Sequence, residues 1–132
     1  MKVNIGRFHK NNAPRTIKVQ IDSWDTYNVD HTLALVILPL LKQYNSVPHG
    51  SSFVDNEDVP KHMRIPKGQE FQRSDEWEAR WKYVIDEMIH SFERIVDDNW
   101  TTTINSEEWV KEDERIANGL RLFGKYFRGL WT

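Results

Sequence analysis

The sequence contains no cysteine, which excludes a disulfide scaffold and any zinc site built on thiolates. It also lacks an apolar run of about 20 residues, the length that crosses a bilayer. The stretch MKVNIGRFHK has no apolar segment of the kind found in secretory leaders. A cytoplasmic setting without a membrane partner is therefore expected. Charge of one sign is missing too: 18 Lys and Arg against 20 Asp and Glu leave a net charge of −2. That balance creates no strong field to recruit nucleic acid or an acidic membrane. No phosphate-binding glycine loop, nucleophile elbow or dinucleotide fingerprint is present. Ser51 and Ser52 stand too close in sequence to His49 to imply a catalytic triad. The 132 residues suit a single domain, 1–132, with a real but modest core.

What is there centres on Asp30 to Tyr44, DHTLALVILPLLKQY. Every residue from Leu33 to Leu41 is apolar, and a helix apolar all round has no solvent face. The spacing predicts a buried central helix with Asp30 as its N-cap. Pro39 inside it removes a backbone donor. Upstream, Val3, Ile5 and Phe8 come near a two-residue alternation and Ile17, Val19 and Ile21 follow it strictly, on either side of the turn-forming HKNNAP, which predicts a β-hairpin or two strands of a small sheet. Two strands alone are marginal, so their apolar face is expected to pack on the helices. Ser46 to Gln72 reads as a long polar loop. HGSSFVDNEDVPKHM should be anchored by Phe53 and Val54, and IPKGQEFQR should be mobile.

A second helix is expected from Ser74, with Trp77, Trp81, Val84, Ile85, Met88, Phe92 and Ile95 on one stripe. Asp86, His90 and Glu93 fall on its opposite, solvated face. A third helix, capped by Ser106, carries Trp109, Ile116, Leu120, Phe123, Phe127 and Leu130. Gly119 and Gly124 lie inside it, each at a cost of about 1 kcal/mol relative to Ala, and such glycines admit a close neighbour. The expected fold is α+β, mainly helical: an N-terminal two-stranded β element packed on three helices, the central one buried.

The segments DSWDTYNVDHTLALVILPLLKQ, HGSSFVDNEDVP, WKYVIDEMIHSFE and NGLRLFGKYFRGLW together resemble a family of small proteins from tailed, T4-like bacteriophages. The resemblance runs from about Gln20 to Trp131 and is to a family without an assigned activity. It implies a phage origin and the host cytoplasm as the setting. Tyr27 departs from it where Trp is usual, as does His90-Ser91 where an aromatic and Ala are usual.

Three constellations could carry chemistry. Glu87 and His90 form a Glu-x-x-His pair, but a di-iron bundle needs a second such pair and two further carboxylates. An acidic and histidine-bearing set around the central helix, Asp22, Asp25, Asp30, His31, His49, Asp55, Asp58 and His62, could hold a divalent metal, with Asp30, His31, His49 and Asp58 as the residues of a hydrolase, although no spacing in it is diagnostic. Aromatic faces, Trp24, Tyr27, Trp81 and Tyr126, and cations, Lys42, Arg121, Lys125 and Arg128, could receive a small anionic, nucleotide-like ligand. The leading expectation is a non-enzymatic phage accessory protein that binds, either inhibiting a host defence or regulatory protein or sequestering such a ligand. The alternatives are a metal-dependent hydrolase and a minor virion or assembly protein. Residual apolar surface could be closed by a homo-oligomer.

Overall fold

In a computed structural model describing residues 1–131, Lys2–Ile5 (β1) and Ile17–Gln20 (β2) pair antiparallel. Val3 opposes Val19 and Ile5 opposes Ile17, as the alternation requires. The connection turns at Asn12, whose φ of 59° is a left-handed conformation that Asn tolerates better than most residues. Gly6 N–H donates to the Thr16 carbonyl at 2.8 Å, and Arg15 Nε donates to the Gly6 carbonyl at 2.7 Å. The strand residues are exposed, as is Ile21 just past β2. Phe8 lies beyond the pairing under the Arg15 guanidinium, 4.2 Å from its ring centre.

The helices are Val29–Ser46 (α1), Asp75–Val96 (α2) and Ser106–Tyr126 (α3), joined by short 3₁₀ turns. The protein is mainly helical α+β. The chain, read above as a single domain over 1–132, divides into two compact units, Met1–Leu33 and the second from Ala34 onward.

In the first unit, Ser23–Thr26 forms one 3₁₀ turn. Asp25 accepts the Asp22 N–H at 2.8 Å and pairs with the N-terminal ammonium at 3.1 Å. The Asn28 carbonyl already accepts from Thr32 N–H, so α1 starts at Val29 and Asp30 lies in its first turn rather than capping it.

In the second unit, α2 supplies most of the core. Trp81, Val84, Ile85, Met88 and Phe92 of the expected stripe are buried. Arg80, Glu87 and Ser91 are buried as well, which the apolar pattern did not announce. The cap of α3 is Asn105, not Ser106: its side chain accepts Glu108 N–H at 2.9 Å while Glu108 accepts the Asn105 N–H at 3.4 Å, a reciprocal capping box. The buried face of α3 also differs from the expected stripe. Gly119, Leu122 and Tyr126 are buried, whereas Trp109, Leu120 and Phe127 are exposed. The phase is set by Gly119, which brings the α2 backbone so near that a Cβ there would lie 2.5 Å from the Glu87 carbonyl oxygen and nearer still to Ser91 Oγ. Periodicity counts apolar side chains and cannot see a contact made by the lack of one.

Polar groups line the same α2–α3 seam. Arg115 grips Glu87 through two bonds of 2.9 and 3.0 Å, Arg94 holds Glu112 at 2.9 Å, and His90 meets Glu112. His90 therefore turns toward α3 instead of belonging to a solvated face. Asp86 and Glu93 do stay at the surface, paired with Lys82 and Lys42.

α1 is buried on one side only, which corrects the expectation of an enclosed rod. Ala34 and Leu41 are its two buried residues, backed by half-buried Ile37, Leu38 and Tyr44. Leu35, Val36 and Leu40 remain exposed. Uniform apolarity over Leu33 to Leu41 thus signals an unpartnered face as much as a buried one.

Candidate functional site

The polar chain between α1 and α2 is pinned at several points, because buried backbone and charge must find partners. Val54, Val59 and Ile65 enter the core, while Phe53, the other expected anchor, stays exposed. Asn56 clamps the turn, accepting Ile65 N–H at 2.9 Å and donating to the Ile65 carbonyl at 2.7 Å. Arg80 rises from α2 beneath it, donating to the carbonyls of Val54 and Met63 and to Asn56 Oδ1. Its Nε alone is buried without a partner among the described residues. Burial depresses the Arg80 pKa.

Asp58 closes the arrangement. Its carboxylate is fully buried and receives Arg121 Nη2, Lys125 Nζ and Tyr126 Oη, each at 2.6 Å. Lys125 also reaches Asp55 at 2.8 Å and Glu57 at 3.0 Å, and the Asp55 N–H donates to Tyr126 Oη at 3.0 Å. Burial by itself would raise the Asp58 pKa. Hydrogen bonds from Lys125, Tyr126 and Arg121 outweigh it and hold the group below its ordinary value. The carboxylates of Asp55 and Asp58 raise the Lys125 pKa. Burial, followed by the bond to Asp58, pushes the Tyr126 hydroxyl up to about 12. A carboxylate held below its ordinary pKa by two cations and a hydroxyl is a weak proton acceptor. The constellation is a clamp holding the loop to α3.

This geometry bears on each expected site residue. Asp55, Glu57 and Asp58 are the one group among the described residues whose ligand atoms lie close enough to share an ion, all within 4.8 Å. The Lys125 ammonium already fills the position a metal would take. Asp55 and Asp58 of the wider acidic set belong to that group, but of the four residues assigned to a hydrolase only Asp58 does. His49 stacks on Tyr44 with ring centres 4.2 Å apart and its Nδ1 lies 2.9 Å from the Gly50 carbonyl. Asp30 and His31 belong to the first unit. Of the expected ligand contacts, Trp81 has no exposed surface and is core, which removes it as a stacking face. Arg121, Lys125 and Tyr126 do come together, but on Asp58. Lys42 pairs with Glu93 at 2.9 Å. Trp24 and Tyr27, in the first unit, are 63% and 81% exposed.

A second feature was missed because the sequence pattern placed its residues in the core. Ile37, Leu40, Leu41 and Tyr44 of α1 face Phe123, Phe127 and Leu130 across an open groove of about 400 Å³. Leu40 and Phe127 are 69% and 58% exposed along it. The signal available in the sequence was the lack of any charge from Thr32 to Leu41.

No protein-family model, curated protein or solved structure matches the chain. The fold defines a mainly helical α+β protein, and no helix among the described residues is long and apolar enough to cross a membrane.

Proposed function

We propose that the protein is a non-enzymatic binding protein whose α1–α3 groove receives an apolar face of a partner protein. In the infected-cell setting that the phage resemblance implies, that partner is a host protein. The observation that carries this reading is the groove itself: seven apolar or aromatic side chains around about 400 Å³, with Leu40 and Phe127 standing open to solvent. Exposed apolar surface of this kind is costly to leave bare and marks interaction sites. The clamp supports the same reading from the other direction, because it spends Arg121 and Lys125 on Asp58 and leaves the anionic-ligand reading without those cations.

The test is a photo-crosslinking amino acid placed at Leu40, with Glu78 on the exposed surface of α2 as control, in phage-infected bacteria. The expected result is one host-protein adduct at position 40, absent at 78 and lost when Phe127→Glu is added. Equal adducts at both positions, no adduct, or an adduct only with a second copy of the chain would overturn the reading.

A further inference from the structure

No residue of the first unit is buried, although its hairpin carries a full row of apolar side chains. Val3, Ile5, Ile17, Val19 and Ile21 share one face by strand alternation, and all are exposed, Ile17 to 68%. The sheet holds only β1 and β2 among the described residues. A two-stranded hairpin is marginal by itself, and three or more strands with an apolar face are needed for independent stability. What the hairpin lacks is further strands.

The ladder shows where a strand can be added. Gly6 N–H donates to the Thr16 carbonyl, and the register pairs Asn4 with Lys18 and Lys2 with Gln20. Bonds between the strands therefore run through the even-numbered residues. The N–H and carbonyl groups of Ile17 and Val19 point away from β1, along an outer edge open among the described residues.

Charge distinguishes this edge from the other one. β1 carries Lys2 and the N-terminal ammonium and has no acidic residue of its own. On β2, Lys18 has no ion-pair partner among the described residues. Asp22, four residues on and on the same face as Lys18, keeps extended backbone at φ −104° and ψ 161°. A lysine in the middle of an edge strand discourages indiscriminate pairing. A strand that joins this edge must bring a carboxylate opposite Lys18.

We propose that this strand is β2 of a second copy of the chain. In an antiparallel two-fold pairing centred on Gln20, Lys18 faces Asp22 of the partner subunit, and Asp22 faces the partner subunit's Lys18. Val19 lies opposite Ile21 of the partner subunit on the apolar face, and the two exchange their outward backbone bonds. Two hairpins become one four-stranded sheet. No residue of the α1–α3 groove enters this ladder, and the inference does not rest on the partner-protein reading of that groove.

The test is sedimentation equilibrium of the intact chain. Wild type should dimerise in the micromolar range. Lys18→Asp and Asp22→Lys each set like charges opposite one another twice, and each should sediment as a monomer. Their equimolar mixture should regain the dimer, because both facing positions again carry opposite charge. Val19→Pro removes an outward N–H that bonds nothing within the hairpin, a change edge strands tolerate. Two bonds are lost per dimer, so dissociation should become easier by about tenfold or more. A monomeric wild type throughout the micromolar range, a dimer that persists in both charge variants or in Val19→Pro, or a mixture that stays monomeric would overturn the proposal.

Discussion

Tyr126 Oη donates to Asp58 Oδ2 at 2.6 Å across 68 positions of sequence, and it does so beside two cations aimed at the same carboxylate. Removing one partner of a buried charge network is far costlier than any single bond in it, because the remaining charges lose their compensation. Asp58→Asn should therefore cost about 3 kcal/mol at neutral pH, read by chemical denaturation. The acid limb of the stability profile follows from the depressed folded-state pKa of Asp58. Its contribution is complete above the ordinary Asp value of 3.8 and disappears as pH falls through the lower folded value. Wild type should lose stability steeply below pH 3.8, and Asp58→Asn should lose visibly less over the same interval.

The alkaline limb is governed by the partner groups. Tyr126 has an ordinary pKa of 10.0 and is held at about 12 in the folded protein; Lys125 is raised as well. A raised folded value stabilises below the unfolded pKa and is lost as pH climbs toward the folded one. Stability should hold to pH 10 and fall between pH 10 and 12. Tyr126→Phe should cost about 1–2 kcal/mol at neutral pH through the unmet Asp58 and Asp55 groups. Its decline above pH 10 should be shallower, with the Lys125 contribution remaining, as measured by melting temperature against pH.

Two glycines of α3 make opposite predictions. Gly119→Ala would drive a methyl into Ser91 and the Glu87 carbonyl, and separating two packed helices costs about 1–3 kcal/mol. A methyl added at Gly124 would meet nothing within 4 Å, so Gly124→Ala should stabilise by about 0.5–1 kcal/mol through helix propensity alone. Denaturant midpoints of the two variants, moving in opposite directions from wild type, are the check.

The contrast between these glycines shows how far the sequence could be read. Helical spacing placed Trp81, Val84, Ile85, Met88 and Phe92 in the core, since apolar residues at that period have few other fates. The two strands were legible in the alternation of Ile17, Val19 and Ile21 with polar residues, although these side chains stay exposed. Contacts made by polar atoms left no such trace. Nothing in the spacing of Asp58, Arg121, Lys125 and Tyr126 announces that a loop folds back over α3 to join them. Phe71 sits in a stretch expected to be mobile, and its place beside Trp77 depends on the 3₁₀ turn Glu70–Arg73. α1 misled because an apolar sequence states a preference for burial and does not supply the surface that would satisfy it.

Trp24 and Tyr27 are bulky aromatics exposed in the first unit, where Trp24 flanks the Asp22–Asp25 turn without joining its hydrogen bonds through the indole. Exposed side chains away from caps and networks contribute little to folding. Trp24→Ala and Tyr27→Ala should each shift stability by less than about 0.5 kcal/mol. A drop in melting temperature of the size seen for a core tryptophan would show that these rings are structural.

Leu40 and Leu41 are neighbours in one helix with opposite fates: the first is 69% exposed, the second 4%. Leu41 belongs to the core cluster with Trp81 and Leu122, so Leu41→Ala should cost about 2–5 kcal/mol through lost burial and the cavity left behind. Leu40 gains little from folding, and Leu40→Gln should fall within about 0.5 kcal/mol of wild type because the amide meets water. If the groove binds a partner protein, Leu40→Gln should weaken that complex by about tenfold or more, as the loss of one central apolar anchor does. Affinity and stability would then separate at adjacent residues. Calorimetric unfolding of both variants, set beside the photo-adduct yield at a second groove position such as Phe127, measures the two effects independently. Equal destabilisation by Leu40→Gln and Leu41→Ala would place position 40 in the core and remove the open groove.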